Sequence, residues 1–282
     1  MNAPSSSTPV PPSSAHTTRP FKTEPFVAVP WERADLDSIV SRPFGIYLHV
    51  PFCTSRCGYC DFNTYALRTF PPGPAGDPIA HWAEQLTKEL RLGAQILTDH
   101  NITPPAANTV FFGGGTPSLL GRQLPKILDV VRECFGIAPG AEITSEANPE
   151  STSPELFDCW RAGGVNRLSL GMQSSEPRVL ALLDRQHDPA RAVAAIEEAQ
   201  AAGFEHLNLD LIYGTPGETT DDVARSVDTV LATGVDHVSA YALTIEPGTA
   251  LFRKVAHGEI DPIDDDMQAD RYYQIDAALQ EA

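Results

Sequence analysis

The chain has 282 residues, 42% hydrophobic and 20% charged, which suits one large α/β domain with a substantial core. Its formal net charge of −17 argues against nucleic-acid binding through broad phosphate attraction, and no apolar run is long enough to span a bilayer. The first residues lack the apolar stretch of a secretory signal, so the 5 cysteines are expected as free thiols in a reducing, cytoplasmic compartment and not as a disulfide framework.

Residues 1 to about 20 are almost all Pro, Ser, Thr and Ala. Such a segment buries too little apolar area to offset its ordering entropy, and the residues that follow are transitional, so 1–43 is expected to be a disordered leader. From residue 44 short β-branched and apolar runs alternate with helical patterns. Strands are predicted over 45–50, 108–114, 141–147, 165–173, 206–214 and 237–245. Helices are predicted near 78–98, 118–135, 153–162, 176–183, 189–202 and 219–233, with another opening at about 264. Asp77, Ser153 and Thr219 read as helix caps, and Gly136, Gly163, Gly203 and Gly234 as left-handed helix ends. Strands alternating with helices imply parallel pairing. A partial (β/α)6 TIM-like barrel and a doubly wound open sheet both satisfy that pattern. Polar residues at the C-terminal ends of successive strands (His49, Gly113–Thr116, Glu146, Gln173, Asp210, Glu246) favour the barrel, because parallel α/β folds place their sites at that edge. The last helix pattern meets no glycine or proline stop. The core domain is therefore expected over 44–282, with a C-terminal domain truncated from the chain.

Cys53, Cys57 and Cys60 follow the first strand with C-x3-C-x2-C spacing. Three thiolates in one short loop can converge on a soft metal centre. A [4Fe–4S] cube held by three cysteines keeps one iron for a small molecule bearing an amine and a carboxylate. Three other readings stand beside it: a zinc site with His49 as fourth ligand, a redox Cys57–Cys60 pair, and buried structural thiols. Structural zinc usually draws on two separated ligand pairs, and a redox pair leaves Cys53 unexplained. Cys134 and Cys159 fall in helical patterns and are expected as buried free thiols. The Gly113–Pro117 run reads as a tight strand-to-helix turn or as close backbone approach to a ligand. It is not a phosphate loop, because no Gly-Lys-Ser/Thr follows. Glu146 ends an apolar strand, where a carboxylate can accept hydrogen bonds from a ribose or an ammonium.

Tyr47-x-His49-x-Pro51-Phe52-Cys53, with Cys57 and Cys60 after it, resembles the signature of radical S-adenosylmethionine (SAM) proteins of the coproporphyrinogen-oxidase-like branch. GGGTPSLL (113–120), EANPES (146–151), RLSLGMQS (167–174), LDRQH (183–187), NLDLIYGTPGET (208–219) and HVSAYALTIEPGT (237–249) agree, so the resemblance runs from about residue 44 to the end. It implies a radical SAM barrel with a [4Fe–4S] cluster on Cys53, Cys57 and Cys60. It further implies SAM contacts from Tyr47, Tyr59, Gly114, Gly115, Thr116, Glu146, Gln173, Arg185 and Asp210. A guanidinium fork suits Arg185 to a SAM carboxylate. In this family a reduced cluster cleaves SAM to methionine and a 5′-deoxyadenosyl radical, which is cofactor chemistry.

Two groups of the branch compete. One is the heme chaperones; the other is the oxygen-independent coproporphyrinogen III dehydrogenase, which decarboxylates two propionates. The dehydrogenase pattern continues Cys-x-Cys, whereas Asp61-Phe62 follows Cys60 here. Phe62, Asn63 and the 237–249 stretch resemble the chaperone group. That resemblance implies heme or porphyrin as ligand, heme-receiving apoproteins and an electron donor as partners, and leaves enzymatic turnover open. Spacing selects none of His187, His206 and His237 as a heme ligand. A zinc-stabilised binding protein is the third reading, with one zinc and no acid-labile sulfide.

Overall fold

All six apolar, β-branched runs form strands, and the computed structural model, which describes residues 38–70 and 77–282, places them in one sheet. Residues 1–37 of the expected leader lie outside the described residues. Strand β1 (Gly45–Val50) precedes two short strands, β2 (Phe52–Cys53) and β3 (Tyr65–Ala66). Then come β4 (Ala107–Gly114), β5 (Ile137–Ala147), β6 (Arg167–Gln173), β7 (His206–Tyr213) and β8 (His237–Ala242). The helices are α1 (Pro78–Asp99), α2 (Gln123–Phe135), α3 (Pro154–Gly163), α4 (Pro177–Leu182), α5 (Pro189–Ala201), α6 (Thr220–Ala232), α7 (Ala250–Ala256) and α8 (Asp265–Glu281).

The large sheet runs β1-β4-β5-β6-β7-β8, and every neighbouring pair is parallel. This order follows the chain without reversal. A doubly wound sheet needs a reversal at its switch point, so that alternative falls. β1 and β8 are the two edges, and the fold is an α/β partial (β/α)6 barrel.

Alternation along each strand sorts the side chains between two faces. Val110 and Phe112 on β4, Leu168, Leu170 and Met172 on β6, and Leu207, Leu209 and Leu211 on β7 are buried in one apolar cluster with the helices. Ile127 and Leu128 of α2, Phe157 and Trp160 of α3, Ile196 of α5 and Val227 of α6 complete that layer. Each such side chain contributes roughly 1.5–3 kcal/mol by leaving water. With the core on the helix side, the alternate positions on the concave side are free to be polar. They include Glu142, Thr144 and Glu146 on β5, Ser169 and Gln173 on β6, and Asn208 and Asp210 on β7.

The expected caps form. Asp77 accepts from the amide of Ile79, Ser153 from Leu156, and Thr219 with Asp222 makes a reciprocal capping box. Four details differ from the sequence reading. The pattern over 118–135 is two elements, a 3-10 turn (Pro117–Leu120) and α2, split by Gly121 at φ 53°. Gly163 ends α3 while still helical, and Gly164 takes the left-handed position at φ 106°. β5 starts at Ile137, where one pair with Ala107 precedes a register shift. The run over 237–245 leaves the sheet at Ala242, and α7 follows it, capped by Thr249.

Candidate functional site

The cysteine loop is pinned at both ends. β2 pairs with β3, Phe52 against Tyr65 and Cys53 against Ala66, and so closes the segment between them. His49 Nε2 lies 3.0 Å from the carbonyl of Asn63. A carbonyl only accepts, so Nε2 carries the proton and Nδ1 accepts from the Tyr47 hydroxyl at 2.9 Å. At the middle of the loop, the Gly58 amide donates to Leu183 O at 3.0 Å, and its carbonyl accepts from the Leu251 amide at 2.8 Å. A Cβ at Gly58 would stand 2.4 Å from the Asp184 carboxylate, so a larger residue here would have to push that side chain aside.

Cys53, Cys57 and Cys60 open onto a cavity of about 380 Å³ at the C-terminal ends of the strands. That volume lies within the roughly 300–1,000 Å³ of small-molecule sites. The opposite wall is the end of β4. A Cβ at Gly114 would stand 2.6 Å from the His49 ring, and one at Gly115 only 2.5 Å from the carbonyl oxygen of Phe52. The glycines let β4 lie against the start of the loop and leave their backbone facing the cavity. The Gly114 amide donates to Glu146 Oε2 at 3.1 Å. Burial pushes the Glu146 carboxyl up to about 7, the charge of Asp210 adds to this, and the Gly114 amide opposes it. Burial likewise raises Asp210, against hydrogen bonds from Ser169 (3.1 Å) and Asn208 (2.7 Å).

Gln173 ends β6 at φ 68°, a left-handed conformation rare outside glycine and enriched at functional sites. Its Oε1 is buried without a hydrogen-bond partner, as is Nε of Arg185. Arg185 Nη1 donates to Cys57 Sγ at 3.5 Å, and Nη2 donates to Asn148 Oδ1 at 3.0 Å and Gly171 O at 2.9 Å. Asn148 Nδ2 in turn donates to Thr116 Oγ1 at 3.1 Å. Burial raises the Cys53 thiol, while hydrogen bonds from the Thr116 and Thr64 hydroxyls pull it back down. Burial raises the Tyr59 phenol beside Cys57.

Eleven of the twelve residues singled out from the sequence line this cavity: Cys53, Cys57, Cys60, Tyr59, Gly114, Gly115, Thr116, Glu146, Gln173, Arg185 and Asp210. Tyr47 is the one that does not line it directly. It lies on β1, stacks on Phe111 and is 57% exposed; its hydroxyl donates to His49, and the charge of Glu146 in the cavity wall acts on it. His49 packs its ring behind Gly114 of the wall, with both ring nitrogens engaged by Tyr47 and Asn63, which argues against the zinc reading. Among the described residues no three His, Cys, Asp or Glu side chains are arranged to hold one metal ion. Glu246 lines the cavity although β8 ends four residues earlier. Cys134 and Cys159 are only half-buried, because each sits at the margin of its helix's apolar face. His187 is buried, donating from Nε2 to Met172 O at 3.0 Å; His206 pairs with Asp236 at 2.8 Å, and His237 is exposed at the far end of β8. None of the three lines the cavity.

Sequence reading missed Asn148, Ser169 and Gly171, all at the wall. Stepping back by two along β6 from Gln173 gives Gly171 and Ser169, so strand alternation could have found these two. Asn148 follows the end of β5 within the EANPES stretch, but the motif by itself assigns it no contact.

A partial parallel barrel with three thiols and a polar cavity at its C-terminal edge defines a protein built to hold a thiolate-bound centre beside a small polar ligand. The Radical SAM superfamily model matches residues 47–230, and the chain belongs to that superfamily. It is 54% identical over 258 residues to the heme chaperone HemW of Mycobacterium tuberculosis, which covers 91% of this chain and 64% of that one. It is 36% identical to the heme chaperone HemW of Escherichia coli over 73% of this chain and 52% of that one. Among solved structures, the radical SAM enzyme coproporphyrinogen III oxidase (HemN) from Escherichia coli superimposes with a TM-score of 0.74 at 28% identity, over 89% of this chain and 56% of that one. The chain thus spans between half and two thirds of the length of these relatives.

The superfamily's cofactors are a [4Fe–4S] cluster and SAM, and the residues fit both. Three thiols share one wall, two glycines bare backbone opposite them, and the unpartnered Gln173 Oε1 and Arg185 Nε sit in that wall.

Proposed function

We propose that the chain is the radical SAM core of a heme chaperone, which binds a [4Fe–4S] cluster, SAM and heme for delivery to apoproteins. The observation that carries this reading is the likeness to heme chaperones at up to 54% identity, together with Phe62 where the dehydrogenase pattern has a further cysteine. Cys53, Cys57 and Cys60 hold the cluster. Gly114, Gly115 and Thr116 meet the methionine part of SAM, Arg185 its carboxylate, and Glu146, Gln173 and Asp210 its ribose and ammonium groups. Tyr59 packs beside the cluster and shields it from water. When bound, the cluster and SAM supply one-electron chemistry; the chain's part is to position them and limit water. An electron donor, heme and heme-receiving apoproteins are the partners, in a reducing cytoplasmic setting. No helix among the described residues is long and apolar enough to cross a membrane.

The test is anaerobic reconstitution with iron and sulfide, followed by heme and coproporphyrinogen III offered to the same sample. A brown protein that gains a heme absorption band and leaves coproporphyrinogen unchanged is the expected result. Decarboxylation of coproporphyrinogen with SAM consumption would instead make it the dehydrogenase, the reading favoured by the superposition on coproporphyrinogen III oxidase. A colourless protein with one zinc would leave only the binding-protein reading.

A further inference from the structure

The three cysteine sulfurs have unequal surroundings. Cys57 Sγ receives the Arg185 guanidinium at 3.5 Å, and the Thr116 hydroxyl beside Cys53 favours the ionised form of that sulfur. These two donors come from different elements, the loop after α4 and the turn after β4. One side chain joins them. Asn148 accepts from Arg185 through Oδ1 and donates to Thr116 through Nδ2. Both ends of its amide are used. Because Thr116 Oγ1 accepts from Asn148, its own proton is free to point toward sulfur. The Arg185 fork is fixed from a second side by the Gly171 carbonyl at 2.9 Å, and a Cβ at Gly171 would stand 3.2 Å from Nη2. Asn148 is held in place itself, since its backbone amide donates to Ser118 Oγ at 3.3 Å.

We propose that Asn148 is a positioning residue that holds Arg185 against Cys57 and Thr116 against Cys53, and thereby sets the reduction potential of the cluster those thiolates carry. This rests on the cluster assignment above. Hydrogen bonds and positive charge at a ligand sulfur favour the state with more negative charge on the cluster. Accepting one electron from a low-potential donor adds one negative charge. Donors at Cys53 and Cys57 therefore make the cluster easier to reduce, and losing them moves the midpoint to more negative values. Asn148 touches neither sulfur. Its effect passes through the orientation of two donors, as is usual for outer partners of a metal ligand.

The experiment is a dithionite titration of the reconstituted full chain, without SAM, with the reduced cluster followed by electron paramagnetic resonance. Arg185→Gln and Asn148→Ala are both expected to shift the midpoint to more negative potential while iron and acid-labile sulfide stay at the wild-type ratio. Asn148→Ser, which is too short to reach both partners, is expected to shift it in the same direction and serves if the alanine variant folds poorly. In the Arg185→Gln background, Asn148→Ala is expected to add a smaller shift than it gives alone, because one of its two targets is gone. A merely structural asparagine would alter stability or loading and not produce that coupling. Midpoints of Arg185→Gln and Asn148→Ala that coincide with wild type at full loading overturn the proposal, and so do strictly additive shifts. A wild-type chain that takes up iron without sulfide overturns the cluster assignment itself, a distinguishable result.

Discussion

Glu146 is a cavity carboxylate that burial holds partly protonated near neutral pH. With its carboxyl raised to about 7 by burial, it is largely protonated in mildly acid solution. A ligand that needs the ionised form must then displace a proton. SAM affinity is expected to fall by up to about tenfold per pH unit below 7 and to level off above it, as read by calorimetry on the reconstituted chain between pH 6 and 8. Glu146→Gln should bind about 10- to 100-fold more weakly at pH 8 and lose the pH dependence. The sign for stability is the reverse. The folded-state value lies above the ordinary 4.5, so the unliganded native state holds the extra proton, and stability falls as pH rises from about 4.5 through 7. Glu218, buried and also raised to about 7, adds to the same trend. At this scale the thiols, glycines and strand-end carboxylates were legible, because their residue types are scarce and their chemistry is specific. Asn148 was not, because its role lies in bridging two side chains that only the fold brings together.

The elements owe their ends to short-range chemistry. In α6, the Thr219 hydroxyl accepts from the Asp222 amide at 3.2 Å, and Asp222 Oδ2 accepts from the Thr219 amide at 2.6 Å. Asp222 also meets Arg178 and, at 2.6 Å, Arg225. Burial alone would raise the Asp222 carboxyl, yet Thr219 and Arg178 hold it below the usual range. Thr219→Ala is expected to cost about 1–2 kcal/mol, seen as a lower urea midpoint with unchanged slope. This box could be read from the sequence because both partners lie within four residues. The pairing of β2 with β3 could not, since two residues carry no period and their partnership spans the whole cysteine loop. The break at Gly121 was also hidden. It depends partly on the Trp160 indole donating to Gly121 O at 2.9 Å, a contact 39 residues apart.

Across the molecule, the cysteine loop is coupled to distant segments. Gly58 bonds to Leu183 at the end of α4 and to Leu251 at the start of α7. A group that binds only the folded loop stabilises whatever is tied to it. Loading with iron and sulfide is expected to slow amide exchange at Gly58 and Leu251 by roughly tenfold or more relative to the unloaded chain, and Cys57→Ser should abolish the difference. Mass spectrometry of the exchanged peptides measures this directly. The alternation of apolar runs and helical patterns already determined an α/β chain with parallel pairing, and the cysteine spacing determined where its chemistry lies. Both are local signals, carried by side-chain period and residue type. Only the tertiary structure decided for the barrel, because strand order is a property of pairing between segments far apart in the chain. It alone also decided which inward side chains meet: it set Arg185 against Cys57, joined the Tyr47 hydroxyl to His49 and occupied both nitrogens of His49. Those outcomes depend on depth and direction across neighbouring strands, which no stretch of sequence encodes by itself.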